Sequence, residues 1–153
     1  MLRGLFFILT LAMVGCVSLE PAPDYGVRLT TGDWPLLALQ KLVASELPVG
    51  LRNNSPNGRE FYSRYYIVDD TSYKAAAEAT DRYTAKVVVL GSERPYQLEI
   101  TVDHERRRLH EDDFNYDVVG HDKRLAQELA YKLHDILSKR REERNVIDDF
   151  RVF

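Results

Sequence analysis

The sequence predicts a two-layer α+β fold. An antiparallel sheet of three to five strands is expected to carry two main amphipathic helices on one face. Residues 96–103 alternate apolar and polar side chains, as in a strand with one buried face. Apolar residues recur at helical spacing near residues 36–47 and 125–137. The predicted order is helix, strand, short helix, three strands and helix, which is typical of α+β domains.

Composition fits one globular domain and excludes several classes of protein. The 153 residues are 44% hydrophobic and 29% charged, a balance that allows a core to form. The formal net charge of −3 argues against a general nucleic-acid-binding protein, because such proteins are usually basic. The single cysteine excludes an internal disulfide and a metal site built from several cysteines.

The amino-terminal segment predicts export. Arg3 precedes an apolar stretch of ten residues, positions 5–14, which suits a signal peptide and is too short to span a bilayer. The stretch runs into Met13-Val14-Gly15-Cys16. This motif resembles the lipobox of bacterial lipoproteins, with Met13 where leucine is commonest in that family. The resemblance is confined to the first sixteen residues.

The lipobox resemblance implies removal of residues 1–15 and acylation of Cys16. Several acyl chains, at about 0.8 kcal/mol per buried CH₂ group, hold a protein on a membrane without a spanning helix. Because Val17 and Ser18 directly follow Cys16, with no aspartate there, the resemblance also implies an outer-membrane location facing the periplasm, as in enteric-type bacteria. A plain secretory signal, with Cys16 present by chance, is the alternative.

Residues 16–32 are predicted to be the lipidated cysteine and a flexible tether, and residues 33–153 a single periplasmic domain. Two prolines and two glycines lie in this tether, and residues 25–29 are suited to a short edge strand. Asp33 is predicted to cap a helix over residues 34–46, which Pro48 ends.

The middle of the chain predicts strands joined by turns. Residues 61–68 are rich in aromatic and β-branched side chains, which favours one strand, with residues 49–52 available to pair with it. Residues 69–81 begin with acidic and hydroxyl side chains and continue with alanine, which favours a short helix. Residues 83–90 and 96–103 predict a hairpin around a turn at 91–95.

The carboxyl-terminal third predicts a charged loop, a strand and the longest helix. The loop is expected at residues 104–112 and the strand at 114–119. Asp122 is expected to cap a helix ending near residue 141. Its predicted buried stripe consists of Leu125, Leu129, Leu133, Ile136 and Leu137.

Two groups of residues are candidates for partner binding. In one strand over residues 61–68, Tyr62, Arg64 and Tyr66 would share a face, and tyrosine and arginine are enriched at protein interfaces. The same face would also suit the stacking of sugar rings, and the alternative is an ordinary packed outer sheet face. Phe150 and Phe153 belong to an apolar terminal segment that either docks on the domain or is captured by a partner.

An enzyme is the rival hypothesis. His104 and His110 lie near several carboxylates, and histidine with carboxylates can bind a divalent metal. Their spacing matches no metal-ligand motif, and the three arginines at residues 106–108 would oppose a cation. We therefore predict no catalytic residue, cofactor or metal, with a small envelope hydrolase or metal-dependent enzyme as the alternative.

Together these patterns predict a membrane-anchored, non-catalytic binding or accessory component of a bacterial envelope. The expected partner is another envelope protein or an envelope glycan or lipid, and not nucleic acid. In architecture alone, the predicted domain is broadly similar to assembly-accessory lipoproteins, such as those serving lipopolysaccharide export. That likeness rests on no motif and is an analogy.

Overall fold

Ten helices and strands follow one another in the part of the chain that the computed structural model describes. That part comprises residues 24–108 and 115–149, with side chains as far as Lys139 in the last helix. In chain order the elements are β1 (Val27–Thr30), α1 (Leu36–Glu46), β2 (Leu51–Asn54), β3 (Glu60–Ser63), β4 (Tyr66–Asp69), β5 (Ser72–Ala75), β6 (Asp81–Leu90), β7 (Gln97–Arg107), β8 (Tyr116–His121) and α2 (Lys123–Asp149).

The sheet is built around the long antiparallel hairpin of β6 and β7, which pair from Asp81↔Arg106 to Leu90↔Gln97. Each long strand carries two short strands in series along its other edge. On β7 these are β1 and β8, and on β6 they are β3 and β4. Strand β2 extends β3, and β5 extends β4. The predicted α+β class and the predicted hairpin are therefore confirmed.

The predicted three to five strands are wrong, since the described residues contain eight. The single strand predicted over residues 61–68 is interrupted at Arg64 and Tyr65. There the backbone turns to other partners: the Arg64 N–H donates to the Gly50 carbonyl, and the Tyr65 carbonyl accepts from Ala76. One predicted strand therefore becomes β3 and β4.

Two further predictions fail because strand pairing outweighs the local preference for helix or loop. The short helix predicted over residues 69–81 is instead a tight hairpin of β4 and β5, with Asp70 at a φ of +53° in the turn. The predicted loop at residues 104–112 is strand as far as Arg107. Its charged side chains are tied to β6 by ion pairs that join Arg82 to Glu105 and Asp81 to Arg106.

The core lies against one face of the hairpin. Alternate residues of β6 and β7 point into it, as the period of a strand requires, and the predicted buried face of β7 is confirmed. The hairpin contributes Ala85, Val87, Val89, Leu98, Ile100 and Val102, each at most 2% exposed. Both helices supply side chains to the same buried cluster, among them Leu39, Leu42, Val43, Leu125, Leu129, Leu133 and Leu137.

The two helices begin differently. Asp122 caps α2 as predicted, with its Oδ1 accepting the Leu125 N–H at 3.0 Å. The predicted cap of α1 by Asp33 is wrong, because the helix starts after Pro35 without a side-chain cap. Helix α2 continues to Asp149 instead of ending near residue 141. Neither helix has the length and apolarity needed to cross a membrane in the described part of the chain.

Candidate functional site

The face of the hairpin opposite the core carries mainly polar and charged side chains. We call this surface the polar face, and it consists of Arg82, Thr84, Lys86 and Val88 from β6 and Glu99, Thr101, Asp103 and Glu105 from β7. The register of the flanking strands adds Arg28 opposite Glu99, Tyr62 opposite Lys86 and His121 opposite Asp103. Directly opposed residues share a face of a sheet, so these side chains meet there.

Arg82 is the most enclosed charge on the polar face. Its guanidinium lies 3.4 Å from the centre of the Tyr65 ring and 3.3 Å from that of Tyr116. Its Nη2 is 2.7 Å from Glu105 Oε2, and the two side chains are only 9% and 13% exposed. Its Nη1 donates to the Ala77 carbonyl. A planar guanidinium suits this position because it can stack on rings and donate from its edges at once.

The stack around Arg82 continues toward the sheet edge. The Arg52 guanidinium lies 4.1 Å from the centre of the Tyr65 ring, and the Tyr116 hydroxyl donates to the Ala79 carbonyl at 3.0 Å. Cation–π contacts of this kind strengthen when they are shielded from water. The stack therefore joins β2, β6 and β8 to the irregular segments between strands and holds this end of the polar face in one arrangement.

A cleft opens where β1 and β8 meet along β7. Pairing with β1 reaches Ile100 and pairing with β8 begins at Asp103, so Thr101 lies between the two. Tyr25 stands beside this gap, with its ring stacked on His121 at 3.7 Å between centres and 12° between planes. The cleft has a volume of about 240 Å³, and its walls are Tyr25, Lys86, Val88, Glu99, Thr101, Asp103 and His121.

Charged and polar side chains are paired around this cleft. Arg28 Nη2 lies 2.8 Å from Glu99 Oε2, and His121 Nδ1 lies 2.8 Å from Asp103 Oδ1. Further along the sheet, Lys86 Nζ lies 3.5 Å from Glu60 Oε2. These pairs fix the directions in which the charged groups point, so the surface is arranged before any ligand arrives.

Glu60 shows how the polar face tunes one carboxyl group. The Tyr62 hydroxyl donates to Glu60 Oε2 at 2.7 Å. This hydrogen bond, followed by the charge of Lys86, lowers the pKa of the Glu60 carboxyl below its ordinary value. Lys86 also lies 5.5 Å from the centre of the Tyr62 ring. Tyr62 therefore links an acidic and a basic group on the polar face.

The prediction that Tyr62, Arg64 and Tyr66 share one outer face is wrong. Tyr66 is only 1% exposed and belongs to the core, because the interruption before β4 changes the alternation after Ser63. Burial raises the pKa of the Tyr66 phenol. Tyr62 does lie on the polar face and Arg64 is exposed. The neighbouring Tyr65 stacks against Arg82.

Three other predicted site residues, Cys16, Phe150 and Phe153, lie outside the described residues. Sequence reasoning missed Tyr25, Arg82, Tyr116 and His121. The alternation of side chains along the hairpin would have placed Arg82 on the same face as Lys86 and opposite Glu105. No local signal brings Tyr25 or Tyr116 to this surface, since Tyr25 is placed by the pairing of β1 with the distant β7 and Tyr116 meets Arg82 of β6 across β7.

His104, proposed in the rival enzyme hypothesis, takes part in ordinary sheet contacts. Its Nε2 is 2.9 Å from Asp81 Oδ1, which also accepts from Arg106 at 2.8 Å. Its ring stacks on Tyr83 with 5.0 Å between centres. Among the described side chains, which end at Lys139, no three or more histidines, cysteines, aspartates or glutamates are grouped to hold a metal. His110 lies outside the described residues.

Replacing Arg82 by alanine is expected to destabilise the fold strongly. It leaves Glu105 enclosed without its cation, and breaking a buried pair in this way costs about 3–5 kcal/mol. The matched control is Arg106→Ala, because that side chain is 57% exposed in its pair with Asp81 and should cost at most about 1 kcal/mol. Urea unfolding of the two variants measures the difference, and equal losses would contradict the account.

Tyr62→Phe is expected to raise the pKa of Glu60 toward its ordinary value, because the main hydrogen bond to the carboxylate is lost while the ring remains. A carboxyl group with a lowered folded-state pKa stabilises the fold above its unfolded-state pKa, and that contribution disappears as the pH falls through the folded-state pKa. The variant should therefore show a weaker loss of stability in acid. Carboxyl-carbon NMR titration measures the pKa, with Tyr116→Phe as the control; an unchanged Glu60 titration in Tyr62→Phe would refute the assignment.

Comparisons with protein-family models, with curated proteins and with solved structures found no match to this chain. The function of the chain therefore has to be inferred from the geometry of its own residues.

Proposed function

We propose that this chain is a non-catalytic binding protein of a bacterial cell envelope, anchored through lipid on Cys16 to the outer membrane and facing the periplasm. It acts as an accessory component in a process such as envelope assembly or transport. Its partner is another envelope component, which it meets on the polar face.

The polar face is the observation that carries this proposal. We infer that both helices cover the opposite, apolar face of the sheet. This arrangement leaves the polar face for contact with a partner. Tyrosine and arginine side chains, which are common at interfaces, are held there by the Arg82 stack and by ion pairs such as Arg28 with Glu99. Side chains fixed in advance lose less conformational entropy on binding, which favours recognition.

The position of the tether supports the same proposal. Asp24, just before β1, accepts a hydrogen bond from Lys123 through its backbone carbonyl, so the chain enters the domain at the start of α2. Seven residues lie between Cys16 and Asp24, and the eight Cα–Cα steps of a fully extended chain span at most about 29 Å. A lipid on Cys16 would thus hold Asp24, where the chain enters the domain, within about that distance of the membrane. Such a tether raises the local concentration of the protein around membrane partners.

No comparable observation among the described residues supports the rival enzyme hypothesis. His104 is engaged by Asp81 and Tyr83 in contacts that orient its ring within the sheet. A metal-dependent enzyme built on His104 and His110 would keep a stoichiometric metal through purification and lose it in His110→Ala.

The proposal predicts one recurrent envelope partner in cells after chemical crosslinking and mass spectrometry. Capture should depend on Cys16, because Cys16→Ser removes the anchor and disperses the protein. It should also fall in Tyr62→Ala and Arg64→Ala, which alter exposed groups on or beside the polar face. Phe150 and Phe153 stay predicted contact residues and are tested in the same way.

The matched control is Tyr131→Ala, since Tyr131 is 73% exposed on α2 and its loss should leave capture unchanged. Thermal melting of each variant separates a lost contact from a lost fold. Failure to capture any specific partner with correctly localised wild-type protein would refute the proposal.

A further inference from the structure

The cleft beside Tyr25 has the features of a binding site for one small ligand group. We infer that it binds a single uncharged, hydroxylated sugar ring of an envelope glycan. This inference rests on the proposed function, and it names the chemistry of the partner that the polar face receives.

The size of the cleft limits the ligand to about one ring. Its volume is about 240 Å³, below the roughly 300–1,000 Å³ of pockets that enclose drug-sized molecules. The opening results from the gap between β1 and β8, where Thr101 forms a small floor between Glu99 and Asp103. A glycan chain would place one unit in the cleft while neighbouring units follow the polar face.

The charges of the cleft favour a neutral ligand. Lys86 is on one wall and the carboxylates of Glu99 and Asp103 are on the other side, with Arg28 paired to Glu99. A phosphate would meet two carboxylates, and a cationic ligand would meet Lys86 and Arg28, so either charge is opposed. Both cations are also paired with carboxylates already, Arg28 with Glu99 and Lys86 with Glu60.

The polar groups of the cleft match hydroxyl groups in particular. Lys86 can only donate hydrogen bonds, the carboxylate of Asp103 can only accept them, and the Thr101 hydroxyl can do both. Asp103 contacts His121 through Oδ1 among the described side chains, which leaves Oδ2 for an incoming donor. A sugar hydroxyl donates and accepts at one atom, so a single ring can satisfy all three groups.

Apolar surface in the same cleft suits the C–H face of a sugar ring. Val88 lies on one wall, and the Tyr25 ring lies on another, where its stack with His121 holds it in place. Aromatic rings with a polar edge combine apolar contact with hydrogen bonding. The cleft therefore pairs an aromatic surface with hydroxyl-directed polar groups.

The test measures binding of two neutral probes to the full chain, purified in a detergent without a sugar headgroup. The probes are maltotriose and the β-1,4-linked trimer of N-acetylglucosamine. Binding of each probe is measured by saturation-transfer NMR and calorimetry. We expect at least one probe to bind, and its affinity to fall at least tenfold in Tyr25→Ala and in Thr101→Val. Binding of the N-acetylglucosamine trimer alone would assign an acetamido sugar, and binding of both would assign hydroxylated rings in general.

Tyr131→Ala is the control and should bind like the wild type. Absence of binding to both probes, binding that survives both cleft variants in folded protein, or tighter binding of inorganic phosphate would overturn the inference. In-cell crosslinking of Tyr25→Ala separates this failure from failure of the proposed function. Continued capture of an envelope partner without sugar binding would refute only the sugar site. If the wild type captured no specific partner at all, both proposals would be refuted.

Discussion

The register of β6 against β7 is the constraint on which the rest of the structure depends. Val87 lies opposite Ile100, and the paired residues on either side keep the buried aliphatic side chains of the hairpin on one face. A slip of one residue would turn the side chains of the slipped strand to the opposite face. The apolar alternation and the paired charges of Arg82 with Glu105 therefore specify the same register.

The ion pair of Arg82 and Glu105 acts on this register more than on net stability. Buried pairs contribute little net free energy compared with well-packed apolar residues, because desolvation opposes their attraction. A slip of one residue, however, would separate Arg82 from Glu105 and turn one of the two side chains to the other face. Tyr65 and Tyr116 stack on the Arg82 guanidinium, so the position of β8 depends on the same side chain. The cleft at the junction of β1 and β8 is thus a consequence of how the hairpin is aligned.

Local patterns were sufficient to predict the elements whose partners lie nearby in the chain. The alternation of β7, the hairpin and the cap at Asp122 all follow from spacing within a few residues. The division of residues 61–68 could not be predicted in this way, because it depends on a hydrogen bond that the Gly50 carbonyl accepts and one that the Ala76 N–H donates. The hairpin of β4 and β5 is local, but there the pairing of the two strands outweighs the helical preference of alanine.

The candidate site was predicted only in part, and for a physical reason. Tyr62 was placed correctly on an outer face, but the exchange of roles between Tyr65 and Tyr66 follows from the interrupted strand. The cleft depends on Tyr25 and His121, which are far apart in sequence and meet only because β1 and β8 share one edge of β7. A site formed between strands from both ends of a domain leaves no compact motif in the sequence.

The measurement that tests the central claim most directly is site-specific photocrosslinking in living cells. A photoreactive amino acid would replace Tyr25 or Tyr62 on the polar side, and Leu37 or Tyr131 on the exposed sides of the helices. The account predicts adducts to one envelope component from the first two positions and none from the helix positions. Adducts that arise mainly from Leu37 or Tyr131 would contradict it, because they would place the binding surface on the helices instead of the polar face.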